Sequence, residues 1–205
     1  MRWIDADGTI HLPDTFLGIA QRTGAILAID RTMLRKVLQA AATSADDIAF
    51  GFNVSAASLA AETFAGEVAD LLDASGVDPR RLHFEVTETA LFHVTAAITQ
   101  TMLSIADRGI GWWVDDFGTG FSSISHLREL PISGLKLDKS FTDGVSIEDT
   151  RASRLSIGLV GLAAGLGLST VAEGIERVEQ ARVLAEQGWQ MGQGYLYGQA
   201  APLPP

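Results

Sequence analysis

The sequence predicts an α/β fold, a modified TIM-like (β/α)8 barrel lacking its first one to two strands. Three observations predict it. Strand-like and helix-like stretches alternate along the 205 residues with no linker between them, the pattern of βα units around a parallel sheet. About six strand candidates occur, fewer than an eight-stranded barrel needs. Nearly every candidate ends in a polar side chain: Asn53, Glu85, Asp115 with Asp116, Lys136 with Asp138, Glu173, and Gln193. In a barrel all strand ends meet at one mouth, where active sites lie. An open doubly wound sheet would spread them along an edge, and no G-x-G-x-x-G follows the first strand to mark a switch point.

The elements follow in order. "PDTFLGIAQRTG" reads as a helix from Pro13 to the stop at Gly24, with proline at the first turn and glycine past the last. "DRTMLRKVLQAAA" has helical apolar spacing and an N-cap candidate in Asp30. "IAFGFNVS" is a strand ending at Asn53. "AASLAAETFAGEVADLLDASG" reads as one long helix stopped by Gly76. The strand "LHFEVTE", the helix "VTAAITQTMLSIADRG" and the strand "IGWWVDD" come next. The short helix "FSSISHLREL", the strand "GLKLD", a helix to Gly165, the strand "LSTVA" and the helix "ERVEQARVLAEQG" complete the pattern, with "MGQGYLY" as the last strand. Residues 201–205 form a Pro-rich tail.

Composition narrows the function classes. Hydrophobic residues make up 47% of the chain, enough for a substantial core. The net charge of -10 argues against polymeric nucleic acid and anionic membranes as partners. There is no cysteine, so disulfides and thiolate metal sites are excluded; a reducing, cytoplasmic setting fits. Asp5 and Asp7 interrupt any signal-peptide pattern. The uncharged run Leu155 to Ala172 has the length of a membrane span, but Gly165 and Gly167 break it into a buried helix, a turn and a strand.

The sharpest local signal is "VDDFGTG". Adjacent ionised carboxylates repel, and desolvation at a barrel mouth raises that cost. A divalent cation relieves it. Asn53, Glu85, Asp115 and Asp116 offer only oxygen, which suits Mg²⁺ or Mn²⁺. His11, His83, His93 and His126 stand away from the strand ends, which disfavours zinc. Several oxygen ligands from different strands suit two metals and phosphodiester hydrolysis. Lys136 could then orient water or stabilise charge at phosphorus. Blander readings stay open at this point. A D-D pair also suits a helix cap, Asn53 could cap the following helix, and Lys136 could be a salt-bridge partner or the Schiff-base lysine of an aldolase. Gly118 and Gly120 could serve only the turn.

At these residues a family resemblance emerges. "FNVSA", "FEVTET", "VDDFGTGFSS", "LKLDKSF", "TVAEGIE" and "GQGYLY" resemble, in order, the N-L-S, E-x-T-E, D-D-F-G-T-G, K-x-D-x-S-F, A-E-G-x-E and Q-G-Y motifs of the EAL domain family. Those domains are phosphodiesterases acting on cyclic di-GMP. The resemblance implies one EAL-type domain over residues 1–205, with two divalent cations, Mg²⁺ or Mn²⁺. It implies Asn53, Glu85, Asp115 and Asp116 as metal ligands, and Glu173 as a further ligand or polariser of water. Lys136 would contact the nucleophilic water, and Asp138 and Gln193 would line the substrate and metal site. Glu88 would anchor the loop after Asp116, and Arg2 would reach a substrate phosphate. The product would be linear pGpG. A homodimer and an upstream sensor or GGDEF-type domain are compatible partners. Two departures stand out. The E-A-L glutamate of the pattern would come just before Met1, so a catalytically impaired, ligand-binding or protein-interaction domain is the alternative. Trp112 and Trp113 replace smaller or aliphatic residues, and an inward Trp113 is expected to crowd the interior.

Overall fold

The computed structural model describes residues 1–119, 124–146 and 150–201. Gly120, the rest of "GFSS" and residues 202–205 of the Pro-rich tail lie outside them. The chain divides into two compact units, Met1–Phe84 with Thr95–Ile110, and Glu85–Val94 with Gly111–Pro205. The described strands form a two-stranded antiparallel pair and a six-stranded sheet whose strand order follows the chain.

The first unit opens with β1 (Trp3–Ile4) and β2 (Ile10–His11), paired Trp3 to His11 and Ile4 to Ile10. Asp5 makes the turn between them, its Oδ1 accepting from the amides of Asp7 (3.0 Å) and Thr9 (2.9 Å). Helix α1 (Pro13–Thr23) starts on proline and closes on a left-handed Gly24, as its sequence predicts.

Helix α2 (Ile26–Thr43) corrects one expectation: it begins before Asp30, which is therefore no N-cap. Asp30 is buried within the helix, and its Oδ2 accepts from Ser58 Oγ at 2.7 Å and from the Ser55 amide at 3.1 Å. The residue type is right for a cap, but its partners lie 25 and 28 residues away.

After β3 (Phe50–Asn53) the expected long helix is two, α3 (Ala56–Leu59) and α4 (Phe64–Ser75). Leu59 and Phe64 are both buried. Five residues apart, they would point roughly 140° from each other on a continuous helix; the break turns both inward. Ser55 caps α3 by accepting from the Ser58 amide, and Thr95 caps α5 (Ala96–Ala106) in the same way. Phe52 and Phe64 pack on Phe84 of β4 (Leu82–Thr87), and Val68 and Met102 are buried in the same unit.

The second unit holds β5 (Gly111–Phe117), α6 (Ile124–Glu129), β6 (Ile132–Leu137), α7 (Lys139–Thr142), α8 (Arg151–Gly165), β7 (Ser169–Ala172), α9 (Val178–Gln187) and β8 (Met191–Gly192). β5 through β8 pair in parallel, each with the next. β6 from Gly134 to Leu137 and β7 from Thr170 to Ala172 are buried, as parallel strands covered on both faces must be. Their outer core joins Leu137, Val160, Ala172, Val183, Leu184 and Trp189. The uncharged run at residues 155–172 becomes most of α8, a turn at left-handed Gly167, and β7, but the helix is not the buried one expected: Ser156, Val160 and Ala163 face inward while Leu155 and Ile157 are exposed. Among the described residues no helix is long and apolar enough to cross a membrane.

Candidate functional site

The polar groups that converge belong to the second unit. Strict alternation along a strand sends neighbouring side chains to opposite faces, so two adjacent acids should not serve one site. β5 escapes that rule. Val114 pairs with Leu135 and Phe117 with Leu137, three residues of β5 against two of β6. The extra residue is a β-bulge, and bulges re-aim side chains. Asp116 also has φ +55°, the one positive φ outside glycine among the described residues, a conformation aspartate tolerates better than most residues. Asp115, Asp116 and Glu173 consequently bring carboxylate oxygens within 4.8 Å of one another.

Lys136, near the end of β6, is inserted among the acids. Its Nζ lies 2.8 Å from Glu85, 3.0 Å from Asp115 and 2.7 Å from Glu173. Only 6% of Lys136 is exposed, and Glu85 is equally buried. Burial alone would lower the lysine pKa; the charges of Glu85, Asp115 and Glu173 outweigh that and raise it, so the ammonium stays charged. Burial raises the Glu173 carboxyl, with Lys136 opposing. Burial also raises Asp116, helped by the charges of Asp115 and Asp138.

The loop after β5 is fixed from below. Buried Glu88, in the short 3-10 segment after β4, accepts from the Gly118 amide at 2.9 Å. Gly118 has φ +101°, and a Cβ there would stand 2.8 Å from the Phe141 ring; both the turn and the contact demand glycine. Asp138 faces Asp116 electrostatically, while its Oδ1 caps α7 by accepting from the Ser140 amide. Gln193 is exposed just after β8, its amide donating to Ala172 O at 2.9 Å. It lines a cavity of about 280 Å³ with Glu173, Glu176 and Tyr195. Glu176 and Tyr195 are residues to which the sequence reading gave no role; their only signal was membership of "AEGIE" and "GQGYLY". Glu176 pairs with Lys139 Nζ at 2.7 Å, and Gln180 Oε1 accepts from its amide at 3.0 Å.

Trp113 does not crowd its neighbours as expected. It pairs in register with Gly134, and its indole lies across that glycine, so close that a Cβ there would sit 2.4 Å from the ring. The missing side chain on β6 makes room for the large one on β5. Arg2 and Asn53 belong to the first unit. Asn53 ends β3 and is exposed. Arg2 donates to Met1 O at 2.8 Å and borders an apolar cavity of about 580 Å³ with Trp3, Phe16 and Ile19.

Chemically, the oxygen-only donor set of Asp115, Asp116 and Glu173 fits a hard divalent cation such as Mg²⁺ or Mn²⁺. An aldolase lysine needs a neutral amine, whereas Lys136 is held cationic by three carboxylates.

Comparisons with known proteins point to one family. A family model for the EAL domain matches residues 1–200. The chain is 34% identical over 202 residues to the cyclic di-GMP phosphodiesterase PA2567 of Pseudomonas aeruginosa, covering 97% of this chain and 34% of that protein. It is 32% identical over 206 residues to the cyclic di-GMP phosphodiesterase PdeL of Escherichia coli, covering 98% and 57% respectively. The solved structure of the PaMucR phosphodiesterase in complex with cyclic di-GMP matches with a TM-score of 0.91 at 30% identity, covering 98% of this chain and 83% of that one. The fold class is thus the TIM-like α/β barrel expected from the sequence. The chain spans 24% to 34% of the length of three curated relatives it matches.

Proposed function

The chain belongs to the EAL domain family, and from that premise we propose that it hydrolyses cyclic di-GMP to linear pGpG at the acid cluster of its second unit. The observation that carries the reading is the convergence of Asp115, Asp116 and Glu173 within 4.8 Å. The cyclic di-GMP phosphodiesterases among its relatives supply the substrate class.

Two divalent cations, Mg²⁺ or Mn²⁺, held by these acids with Glu85, would supply positive charge toward the phosphodiester and acidify water. The protein's own groups do the rest. Glu173, its carboxyl raised by burial, would polarise the attacking water. Lys136 Nζ, 2.7 Å away, steadies the carboxylate. Glu88 holds the Gly118 amide, and with it the loop that follows Asp116. Gln193 and Asp138 border the substrate. The proposal includes a cytoplasmic protein, an EAL-type domain over residues 1–205, a homodimer, and a sensor or GGDEF-type partner domain.

The test is hydrolysis by the full chain. Cyclic di-GMP with Mg²⁺ or Mn²⁺ should yield pGpG by chromatography, and EDTA should stop it. Binding of cyclic di-GMP without pGpG would overturn the enzyme reading in favour of a binding module. Neither binding nor turnover would remove the ligand assignment as well.

A further inference from the structure

The lysine in the cluster has more partners than a residue assigned to a water molecule should have. An ammonium carries three N–H donors. Lys136 Nζ has carboxylate oxygens at 2.8, 3.0 and 2.7 Å, from Glu85, Asp115 and Glu173. The Glu85 contact is a hydrogen bond and the other two are close ion pairs, so carboxylates surround the ammonium on three sides. The side chain is buried, and its strand is fixed in register on β7, Lys136 opposite Val171. Two of its three partners, Asp115 and Glu173, also belong to the trio whose oxygens converge within 4.8 Å. An ammonium and a divalent cation therefore draw on the same carboxylates. Each also repels the other at short range in a partly desolvated site.

We propose that Lys136 is the site's internal cation, competing with the incoming metal for Asp115 and Glu173 and thereby setting how tightly the site holds it. The proposal rests on reading the cluster as a metal site. It assigns Lys136 a sequence of partners. The ammonium neutralises the carboxylates first, which lets buried acids sit together. As metal takes over Asp115 and Glu173, the ammonium keeps its hydrogen bond to Glu85 and turns its remaining N–H groups toward a water or a phosphodiester oxygen. Metal loading and readiness of the lysine become one event.

Binding of Mn²⁺, read by electron paramagnetic resonance or calorimetry on the full chain, tests this without any turnover. Lys136→Met should bind Mn²⁺ about tenfold more tightly or better, because one repelling charge is gone and two carboxylates are freed. Lys136→Gln repeats the test with a polar side chain. Lys136→Arg keeps the charge and should stay within about threefold of the wild type. Wild-type binding with equal or weaker affinity in the neutral variants would overturn competition and leave Lys136 as a residue that positions the ligands. No Mn²⁺ binding by the wild type would sink the metal-site reading itself. A measurement on the unaltered chain guards against variants that fail to fold. In lysine-labelled protein, the buried Lys136 ammonium signal should shift in step with added Mg²⁺. A signal that stays fixed while Mg²⁺ binds would overturn the proposal.

Discussion

Two hollows in this molecule could not differ more. The apolar cavity of the first unit is the larger, about 580 Å³, and is walled by Trp3, Phe16, Ile19 and Met33. The acid cluster of the second unit adjoins a hollow of about 280 Å³. The first has volume and hydrophobic area but no group of converging acids. The second has little room, yet gathers acids from three strands around one buried lysine, beside a bulge and a residue at φ +55°. Size reports where apolar atoms fail to meet. Chemistry is reported by charged groups that the fold forces together at a cost in desolvation and backbone strain. The acid cluster carries that signature, and the apolar cavity does not.

Substitutions should separate the two regions, the strongest first. Asp115→Ala should cut pGpG formation at least about 10²-fold, since the residue serves both Lys136 and the proposed cations; circular dichroism should show the fold retained. Glu88→Gln weakens the acceptor for the Gly118 amide. It should cost about 1–3 kcal/mol in urea unfolding and lower turnover by roughly tenfold as the loop loosens. Gly134→Val drives a side chain into the Trp113 indole. It should destabilise by about 1–3 kcal/mol, with a shift in tryptophan fluorescence.

Asp116→Asn is the smallest and has the opposite sign. Burial, then Asp115 and Asp138, raise the Asp116 carboxyl, so the unfolded chain gives up that proton more readily than the folded one. Ionisation at neutral pH therefore costs folded-state stability, and the cost vanishes as pH falls through the raised pKa toward the ordinary 3.8. Asparagine removes the cost and tolerates positive φ. Melting in EDTA should rise by roughly a few degrees near neutral pH and converge with the wild type in acid.

What could be read from the sequence follows from range. Strand and helix periods are local, so β3 to β8 and their polar ends are visible as alternation broken by glycine and proline. Chemistry tied to motif order is visible for the same reason. What stayed hidden depends on partners far along the chain. Asp30 has the residue type of a cap, and only its hydrogen bonds to Ser55 and Ser58 reveal a tie between helices. Trp113 looks too large until the register sets Gly134 opposite it. The bulge that aims Asp115 and Asp116 together is a property of two strands. Lys136 reads as a contact for water, and only three-dimensional distances show it set among three carboxylates.

One paired assay separates the two regions most directly, Mn²⁺-dependent conversion of cyclic di-GMP to pGpG by Asp115→Ala and Phe16→Ala beside the wild type. Phe16 meets Trp3 edge-on at 5.8 Å in the wall of the larger cavity. Its loss should cost about 1 kcal/mol or more of stability and leave turnover within about twofold. Full activity in Phe16→Ala with none in Asp115→Ala is the predicted result. Equal activity in the two, or loss only in Phe16→Ala, would contradict it.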